Sequence, residues 1–135
     1  MRIGRALLDE MIAHAKEENP NECCGLVSAE PGMDGQAVRI HRAINVFKTH
    51  LRFEIDGLEL KKILDDIEHN GLKLGALYHS HTRTEPKPSQ TDISRAKLWP
   101  GVEWIIVGLA DGEAPEVRSY LIEDGQVREV ALEVE

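Results

Sequence analysis

Cysteine is scarce in this chain, because only Cys23 and Cys24 are present among 135 residues. The two cysteines are adjacent, and neighbouring cysteines rarely form an unstrained disulfide. The sequence therefore predicts no disulfide framework of the kind that supports small secreted proteins. Both cysteines begin an apolar segment, which favours small buried side chains over redox or metal-binding roles.

Positive charge is also in short supply, with 16 Lys and Arg against 24 Asp and Glu, a formal net charge of −8 and a pI near 5.2. A field of this sign repels phosphate, which argues against nonspecific binding to nucleic acid or to an anionic membrane. Long apolar runs are missing as well. No stretch approaches the roughly 18–20 residues of a membrane span, and the N-terminal segment lacks the features of a signal peptide. We therefore expect a cytoplasmic protein.

The chain does contain enough apolar residues, 41% of the total, to form one domain over residues 1–135. The spacing of these residues predicts helices over about 4–18, 58–67 and 91–99, and strands over 23–29, 36–44, 53–56, 72–78, 102–108, 116–122 and 126–134. Turns are predicted over 30–35 and 123–125, and Asn70-Gly71 is expected to end the second helix with a left-handed cap. The order of elements indicates an α+β fold in which helices flank a mixed sheet.

His79 and His81 follow the predicted strand over 72–78 and are the most informative residues of the chain. Two residues apart on an extended backbone, they point to the same face. Both rings can then converge on one Zn²⁺ at roughly 2.0–2.1 Å, with a carboxylate as third ligand and water as fourth. That open arrangement is typical of catalytic zinc, since a closed structural site takes four protein ligands.

Asp92 is the candidate third ligand, and Pro86 and Pro88 stiffen the loop that leads to it. Ser89 and Asp92 also match Ser-x-x-Asp, a pattern in which serine caps a helix and an acidic residue answers it from the third position. Taken alone, the pair is better interpreted as a helix cap. A cap does not explain two histidines on one face a few residues upstream, and the histidines favour a metal site.

The remaining histidines and the tryptophans receive structural interpretations. Four histidines are expected to be ordinary surface or core residues, with His50 a weak candidate for the rim of the site: His14, His41, His50 and His69. Trp99 and Trp104 are expected to pack in the core around the last helix and the following strand.

Hydrolysis of an amide requires more than a metal, because the attacking water must lose a proton and the leaving nitrogen must gain one. A carboxylate that is not a metal ligand is the usual proton carrier. Glu22 is our candidate because it directly precedes the buried strand over 23–29, where side chains commonly line clefts. Spacing alone does not separate Glu22 from the other acidic residues.

His79-Ser-His81, followed after seven residues by Ser89-x-x-Asp92, with an upstream glutamate in Asn21-Glu-Cys-Cys-Gly-Leu-Val27, resembles the signature of the JAMM (MPN+) metalloprotease family. The resemblance covers nearly the whole chain. It implies that His79, His81 and Asp92 bind Zn²⁺, that Glu22 is the general acid/base, and that Ser89 hydrogen-bonds the oxyanion. The implied fold is a cytidine-deaminase-like α/β sandwich. One position departs from the family pattern: Thr82 follows the second histidine, where many members have proline.

The resemblance implies hydrolysis of an amide by a zinc-activated water, without a covalent enzyme intermediate. It is closest to the small bacterial and archaeal members, some of which remove cysteine or another adduct from the C-terminal Gly-Gly of a ubiquitin-like sulfur-carrier protein. An extended Gly-Gly tail suits a narrow cleft because glycine has no side chain to clash. Arg83 and Lys87 lie beside the ligands and are candidates to meet a carboxylate on the leaving amino acid; two solvated loop charges are an equally good interpretation.

Two alternatives stay open at the level of the sequence. The first is a zinc peptidase that acts on cell-wall or other small peptides. The second is a noncatalytic MPN scaffold that uses the domain as a binding module. Scaffold members are expected to lack a ligand or the glutamate, whereas this chain retains all of them. Neither the carrier protein nor the oligomeric state is specified by these residues.

Overall fold

A computed structural model describes residues 1–32, 35–110 and 114–135. The helices are α1 (Arg5–Glu18), α2 (Gly57–His69) and α3 (Gln90–Arg95), and α3 continues as a 3-10 turn over Ala96–Leu98. The strands are β1 (Arg2–Ile3), β2 (Cys24–Ala29), β3 (Ala37–Ala43), β4 (Lys73–His81), β5 (Glu103–Gly108), β6 (Glu116–Glu123), β7 (Gln126–Val130) and β8 (Glu133–Val134). None of the helices in the described ranges has the length and apolar character needed to cross a membrane.

Six strands form one sheet in the order β3-β2-β4-β5-β6-β7. The β4 and β5 strands pair in parallel and the other neighbours pair antiparallel, so the sheet is mixed, as predicted. The short β1 and β8 form a separate parallel pair. This arrangement confirms the predicted α+β class.

The helices cover both faces of the six-stranded sheet. Successive residues of a strand point to opposite faces, and β4 shows this directly. Tyr78 packs in a core cluster with Met11 of α1, whereas Leu77 packs in a second cluster with Ile67 of α2 and with Ala96. The sheet therefore lies between α1 on one face and α2 with α3 on the other. His79 and His81 project on the α2 and α3 face, because they share the parity of Leu77.

The structure shows a cap at each end of α2, and the predicted one, at Asn70-Gly71, is confirmed. The Asp56 side chain accepts a hydrogen bond from the backbone N–H of Leu58 at 3.2 Å and caps the N-terminus. At the other end Gly71 adopts φ of 72°, the left-handed conformation that glycine reaches without a steric penalty. Asp124 and Gly125 likewise have positive φ values in the turn between β6 and β7, as the hairpin prediction requires.

Two predicted strands are wrong. Residues 53–56 form no strand, and only an isolated bridge joins Ile55 to Asn45. Glu54 of this segment donates its backbone N–H to the Asn45 side chain, and its carbonyl oxygen accepts from the backbone N–H of Val46. The predicted strand over 126–134 divides into β7 and β8, because β8 leaves the main sheet and pairs with β1. The strands on either side of the predicted 30–35 turn form the expected hairpin, while positions 33 and 34 lie outside the described residues.

Candidate metal centre and active site

The two histidines of the motif occupy the C-terminal end of β4, which lies between β2 and β5 in the sheet. Both are buried: His79 is 0% exposed and His81 is 6% exposed. Their Nε2 atoms lie 3.2 Å apart. The extended backbone thus places the two rings on one face, and the prediction of convergence is confirmed.

Asp92 reaches the histidines from the first turn of α3. Its Oδ2 atom lies 3.1 Å from Nε2 of His79 and 3.5 Å from Nε2 of His81. Burial raises the pKa of Asp92, but the neighbouring His79 and hydrogen bonds from both histidines and the Ser89 N–H outweigh it and hold the pKa well below its usual range. Asp92 is therefore an anion at neutral pH despite its burial.

Ser89 and Asp92 also form the capping box that the sequence predicted. The backbone N–H of Asp92 donates to Oγ of Ser89 at 3.1 Å, and the N–H of Ser89 donates to Oδ2 of Asp92 at 2.9 Å. The cap and the approach to the histidines are thus two results of one geometry, because the cap fixes the carboxylate that faces the rings.

The tautomer of His81 follows from its outer contact. Its Nδ1 lies 2.9 Å from the carbonyl oxygen of Glu85, and only a protonated ring nitrogen can donate to a carbonyl. In the neutral ring this leaves the Nε2 lone pair free for a metal ion, whereas the protonated ring donates from Nε2 to Asp92. Histidines that bind metals usually donate their other ring N–H to an acceptor in this way.

These three side chains bring potential metal-binding atoms close together. One ligand atom from each of His79, His81 and Asp92 lies within 4.8 Å of the others, and all three residues are buried. Two imidazole nitrogens and a carboxylate oxygen form a donor set that suits transition metals such as zinc. The residues predicted as metal ligands are therefore brought together, and the group could hold a metal ion.

Glu22 lies two residues before the start of β2, the strand that pairs with β4. The register places Cys24 opposite His79, and the backbone N–H of Cys23 donates to Oγ of Ser80 at 2.8 Å. Glu22 is only 4% exposed. Burial raises the pKa of Glu22 to about 8; His81 opposes this shift and the Asp92 carboxylate reinforces it. Glu22 is thus close enough to both residues for their charges to affect its protonation.

The other residues singled out from the sequence near this centre differ in their exposure and in their contacts. Ser89 is exposed, and a hydroxyl that accepts a hydrogen bond keeps its own hydrogen to donate. Thr82 donates through Oγ1 to the carbonyl oxygen of Pro20 at 3.0 Å. Lys87 forms an ion pair with Glu85 at 3.1 Å, and Arg83 is exposed.

Two of the histidines that were assigned no catalytic role form hydrogen bonds within the fold, and both cysteines are buried. Nδ1 of His14 lies 2.6 Å from the Tyr78 hydroxyl in the core, and Nε2 of His41 lies 2.9 Å from the Ser28 hydroxyl. Cys23 and Cys24 are buried and free, as predicted, and burial raises the pKa of the Cys23 thiol to about 12. Such a thiol stays protonated at neutral pH, which makes it a poor nucleophile.

Three residues beside the centre were missed by sequence reasoning. Phe53 was placed in a strand, and Asn45 and Arg95 were not considered. Phe53 stacks on His79 with ring centroids 4.7 Å apart, and Arg95 donates to the carbonyl oxygen of Phe53. Their contacts join distant parts of the chain, and the spacing of residues carries no signal for such contacts.

Known proteins resemble this chain over most of its length. Residues 4–123 match the family described as prokaryotic homologs of the JAB domain. A CysO-cysteine peptidase of Mycobacterium bovis is 33% identical over 132 residues, covering 98% of this chain and 89% of that protein. A probable TtuB-protein conjugate cleaving protease of Thermus thermophilus is 38% identical over 133 residues, covering 98% and 81% respectively.

Solved structures share the same architecture. A protein of Desulfitobacterium hafniense, determined in solution, superposes with a TM-score of 0.88 at 28% identity, covering 100% of this chain and 93% of that one. A JAB1/MPN domain protein from Archaeoglobus fulgidus superposes with a TM-score of 0.65 at 25% identity, covering 99% and 98%. The predicted MPN-type fold, a mixed sheet between helices, is confirmed.

Proposed function

The chain belongs to the family of prokaryotic homologs of the JAB domain, and we propose that it is a zinc metallopeptidase that cleaves an amide at the C-terminal Gly-Gly of a ubiquitin-like or sulfur-carrier protein. The resemblance inferred from the motif is to this family, and its members that match the chain are named as peptidases. The observation that carries the proposal is the buried convergence of His79, His81 and Asp92 beside Glu22.

The ligand set favours zinc as the native metal. His79 and His81 supply neutral nitrogen donors and Asp92 supplies an anionic oxygen, so three protein ligands leave a position open. When bound there, zinc acidifies water and polarises a carbonyl group. The two imidazoles and the carboxylate hold that chemistry at the end of β4, next to the start of β2.

Glu22 moves the protons in this proposal. A buried carboxylate can accept a proton from the attacking water and return it to the leaving nitrogen, and the burial that raises the pKa of Glu22 in the metal-free protein makes it a stronger base. A carboxyl group with an ordinary pKa would release its proton too readily to serve as the acid. Ser89 complements Glu22 from α3, because its hydroxyl hydrogen is available to the carbonyl oxygen as negative charge develops.

The substrate is inferred from the relatives and from the site. The names of the relatives describe a CysO-cysteine peptidase and a protease that cleaves TtuB-protein conjugates. Glycine permits an extended tail to approach the buried ligands without side-chain clashes. Arg83 and Lys87 lie in the loop between His81 and Asp92, and they are proposed to meet a carboxylate on the leaving amino acid. Lys87 already pairs with Glu85, so Arg83 is the stronger candidate.

The experiment that tests the proposal compares three substrates. Zinc-loaded protein is incubated with a carrier protein ending in Gly-Gly-cysteine, with a ubiquitin-like fusion protein and with a peptidoglycan peptide, and the products are weighed by mass spectrometry. We expect release of cysteine or of the fused partner directly after Gly-Gly, and none by Glu22→Gln. Cleavage of the peptidoglycan peptide alone would favour the small-peptide alternative, and no cleavage of any substrate would favour a scaffold.

A further inference from the structure

Residues 45–54, which we call the strap, run from Asn45, which contacts Glu22, to the segment in which Phe53 contacts His79. Asn45 anchors the start of the strap and is buried. Its Nδ2 donates to the carbonyl oxygens of Glu22 and Arg52 at 3.1 and 3.0 Å. Its Oδ1 accepts from the backbone N–H groups of Phe47 and Glu54, both at 3.1 Å. One side chain therefore uses all of its polar atoms to fasten the strap beside Glu22.

The far end of the strap packs against the buried ligand His79. The Phe53 ring stacks on the His79 ring with centroids 4.7 Å apart and planes inclined by 28°. Trp104 meets the same imidazole edge to face, with centroids 5.9 Å apart and planes inclined by 84°. The His79 ring thus contacts two aromatic side chains, which also contact each other with centroids 6.3 Å apart.

The two metal-binding histidines differ in how their orientation is set. His81 donates from Nδ1 to the Glu85 carbonyl oxygen. Nδ1 of His79 is buried and has no hydrogen-bond partner among the described residues. Histidine ligands generally donate their outer N–H to an acceptor that fixes the ring. For His79, packing by Phe53 and Trp104 takes the place of that hydrogen bond.

Arg95 fastens Phe53 to the helix that carries the third ligand. It lies on α3, one turn after Asp92, and donates a hydrogen bond to the carbonyl oxygen of Phe53. Its guanidinium carbon lies 5.5 Å from the centroid of the Phe53 ring, and a guanidinium nitrogen lies 4.0 Å from Glu54. The same helix therefore presents Asp92 to the metal position and holds the ring that covers His79.

We propose that the strap is a positioning element for the metal centre, in which Arg95 clamps Phe53 onto His79 and so orients this ligand for zinc. The inference rests on the proposed metal centre and not on the identity of the substrate. Phe53 and Arg95 are positioning residues, since neither is placed in contact with substrate or metal. A ligand that can rotate binds metal more weakly, because binding must then fix it.

The sign of the effect at Arg95 separates the clamp from a simple electrostatic influence. Arg95 is a cation near the site, and it opposes the burial effect on the Glu22 carboxyl. If Arg95 acted only through its charge, Arg95→Met would reduce repulsion and strengthen zinc binding. If Arg95 acts as a clamp, the same substitution weakens zinc binding. Arg95→Lys keeps the charge but loses the flat guanidinium, so the clamp predicts an intermediate affinity.

The test measures zinc affinity by competition with a chromophoric chelator, together with the visible spectrum of the Co²⁺-loaded protein. We expect Phe53→Leu and Arg95→Met each to weaken zinc binding by about tenfold, the lower end of the range for contacts that orient metal ligands. The Co²⁺ absorption bands should shift in both variants, because the ligand geometry relaxes. Arg42→Gln removes an exposed cation that pairs with Glu17, and it should leave both readouts at wild-type values.

A second control accounts for lost stability. Ile105→Val removes one methylene from the core cluster on the α1 face, away from the strap, and should lower the Tm without altering zinc affinity. Unchanged zinc affinity in Phe53→Leu, or tighter zinc binding in Arg95→Met, would contradict the proposed positioning role of the strap. A wild-type protein that binds zinc but cleaves none of the three substrates would contradict the proposed activity. It would not contradict the positioning role of the strap. A wild-type protein that binds no zinc would overturn both.

Discussion

Nε2 of His79 and Oδ2 of Asp92 lie 3.1 Å apart although the residues are 13 positions apart in the chain. The contact joins the end of β4 to the first turn of α3, and the N–H of Ser89 holds the same carboxylate oxygen. An unfolded chain does not keep these atoms together. Metal binding at this centre is therefore expected to be coupled to folding.

Zinc should stabilise the folded protein against heat. A ligand that binds only the folded state at 100 times its Kd adds about 2.7 kcal/mol, and Tm rises accordingly. Asp92→Asn keeps the shape of the side chain but removes the charge, so most of the zinc-dependent rise in Tm should disappear. Differential scanning fluorimetry with and without zinc measures this. Asp65→Asn, at an exposed site on α2, is the control; an equal rise in Asp92→Asn would contradict the ligand assignment.

Ser89 should have separable effects on stability and on catalysis. Ser89→Ala removes the helix cap, which typically lowers stability by about 1 kcal/mol, whereas Ser89→Gly lowers it by only a few tenths. Both variants lack the hydroxyl, so both should lose roughly 10²–10³ in kcat, as for other oxyanion donors. Glu22→Gln should lose more. If kcat followed Tm through the two Ser89 variants, Ser89 would act through the cap alone.

The raised pKa of Glu22 predicts how the stability of the metal-free protein varies with pH. The pKa of Glu22 is about 8 in the folded chain, and an unfolded glutamate has a pKa of about 4.3. Between these values the folded state holds a proton that the unfolded state has lost. The contribution of Glu22 to the stability of the folded protein is complete below the unfolded pKa, and this stabilisation is lost as the pH rises through the folded pKa.

Glu22→Gln isolates this contribution because glutamine does not titrate. With a chelator present, the Tm of the wild type minus that of Glu22→Gln should fall from pH 5 to about pH 8, the folded pKa, and level off at higher pH. Titrating groups that do not interact with Glu22 cancel in the difference. A difference that stays constant over this range would show that Glu22 does not have the raised pKa.

The proposed metal ligands could be predicted because much of their geometry is local. Alternation along a strand alone puts His79 and His81 on one face, and a capping pattern alone places Asp92 at a helix start. The family resemblance then selected Glu22 among 24 acidic residues. The structure adds that Glu22 is buried beside the ligands, a property that depends on the pairing of β2 with β4.

The contacts of the strap could not be predicted because they join residues that are far apart in the sequence. Arg95 and Phe53 are 42 positions apart, and their contact exists only after α3 has packed on the sheet. The apolar and polar pattern of residues 53–56 is that of a strand, and the side chain of Asn45 overrides it. The pairing of β1 with β8 was missed because two-residue strands carry no measurable periodicity.

Gly25 should be the least tolerant glycine near the site. A Cβ atom there would lie 2.3 Å from the ring of Tyr78, and this ring is fixed by the bond between its hydroxyl and His14. Gly25→Ala should therefore lower stability by about 1–3 kcal/mol, as other overpacked cores do. Gly57→Ala is the matched control, since nothing lies within 4 Å of a Cβ at that position. Urea unfolding of both variants measures the difference, and equal midpoints would contradict the clash.

Thr82 should hold the loop after the ligands to the segment before Glu22. Its hydroxyl donates to the carbonyl oxygen of Pro20, so one hydrogen bond spans the residues next to His81 and those next to Glu22. A net hydrogen bond contributes about 1 kcal/mol, which corresponds to a factor of five to ten if it is used to align the reacting groups. We expect Thr82→Val to lower kcat by about that factor with little change in zinc affinity.

Thr82→Ser keeps the hydroxyl and is the control for Thr82→Val, because the two variants differ in whether the bond to Pro20 can form. Thr82→Pro introduces the residue that many members of the JAMM family carry after the second histidine. It restricts the loop by fixing φ instead of by a hydrogen bond, and it should retain more activity than Thr82→Val. Steady-state kinetics on the cleaved substrate compare the three variants. If valine and serine at this position gave the same kcat, the hydrogen bond to Pro20 would have no part in aligning the site.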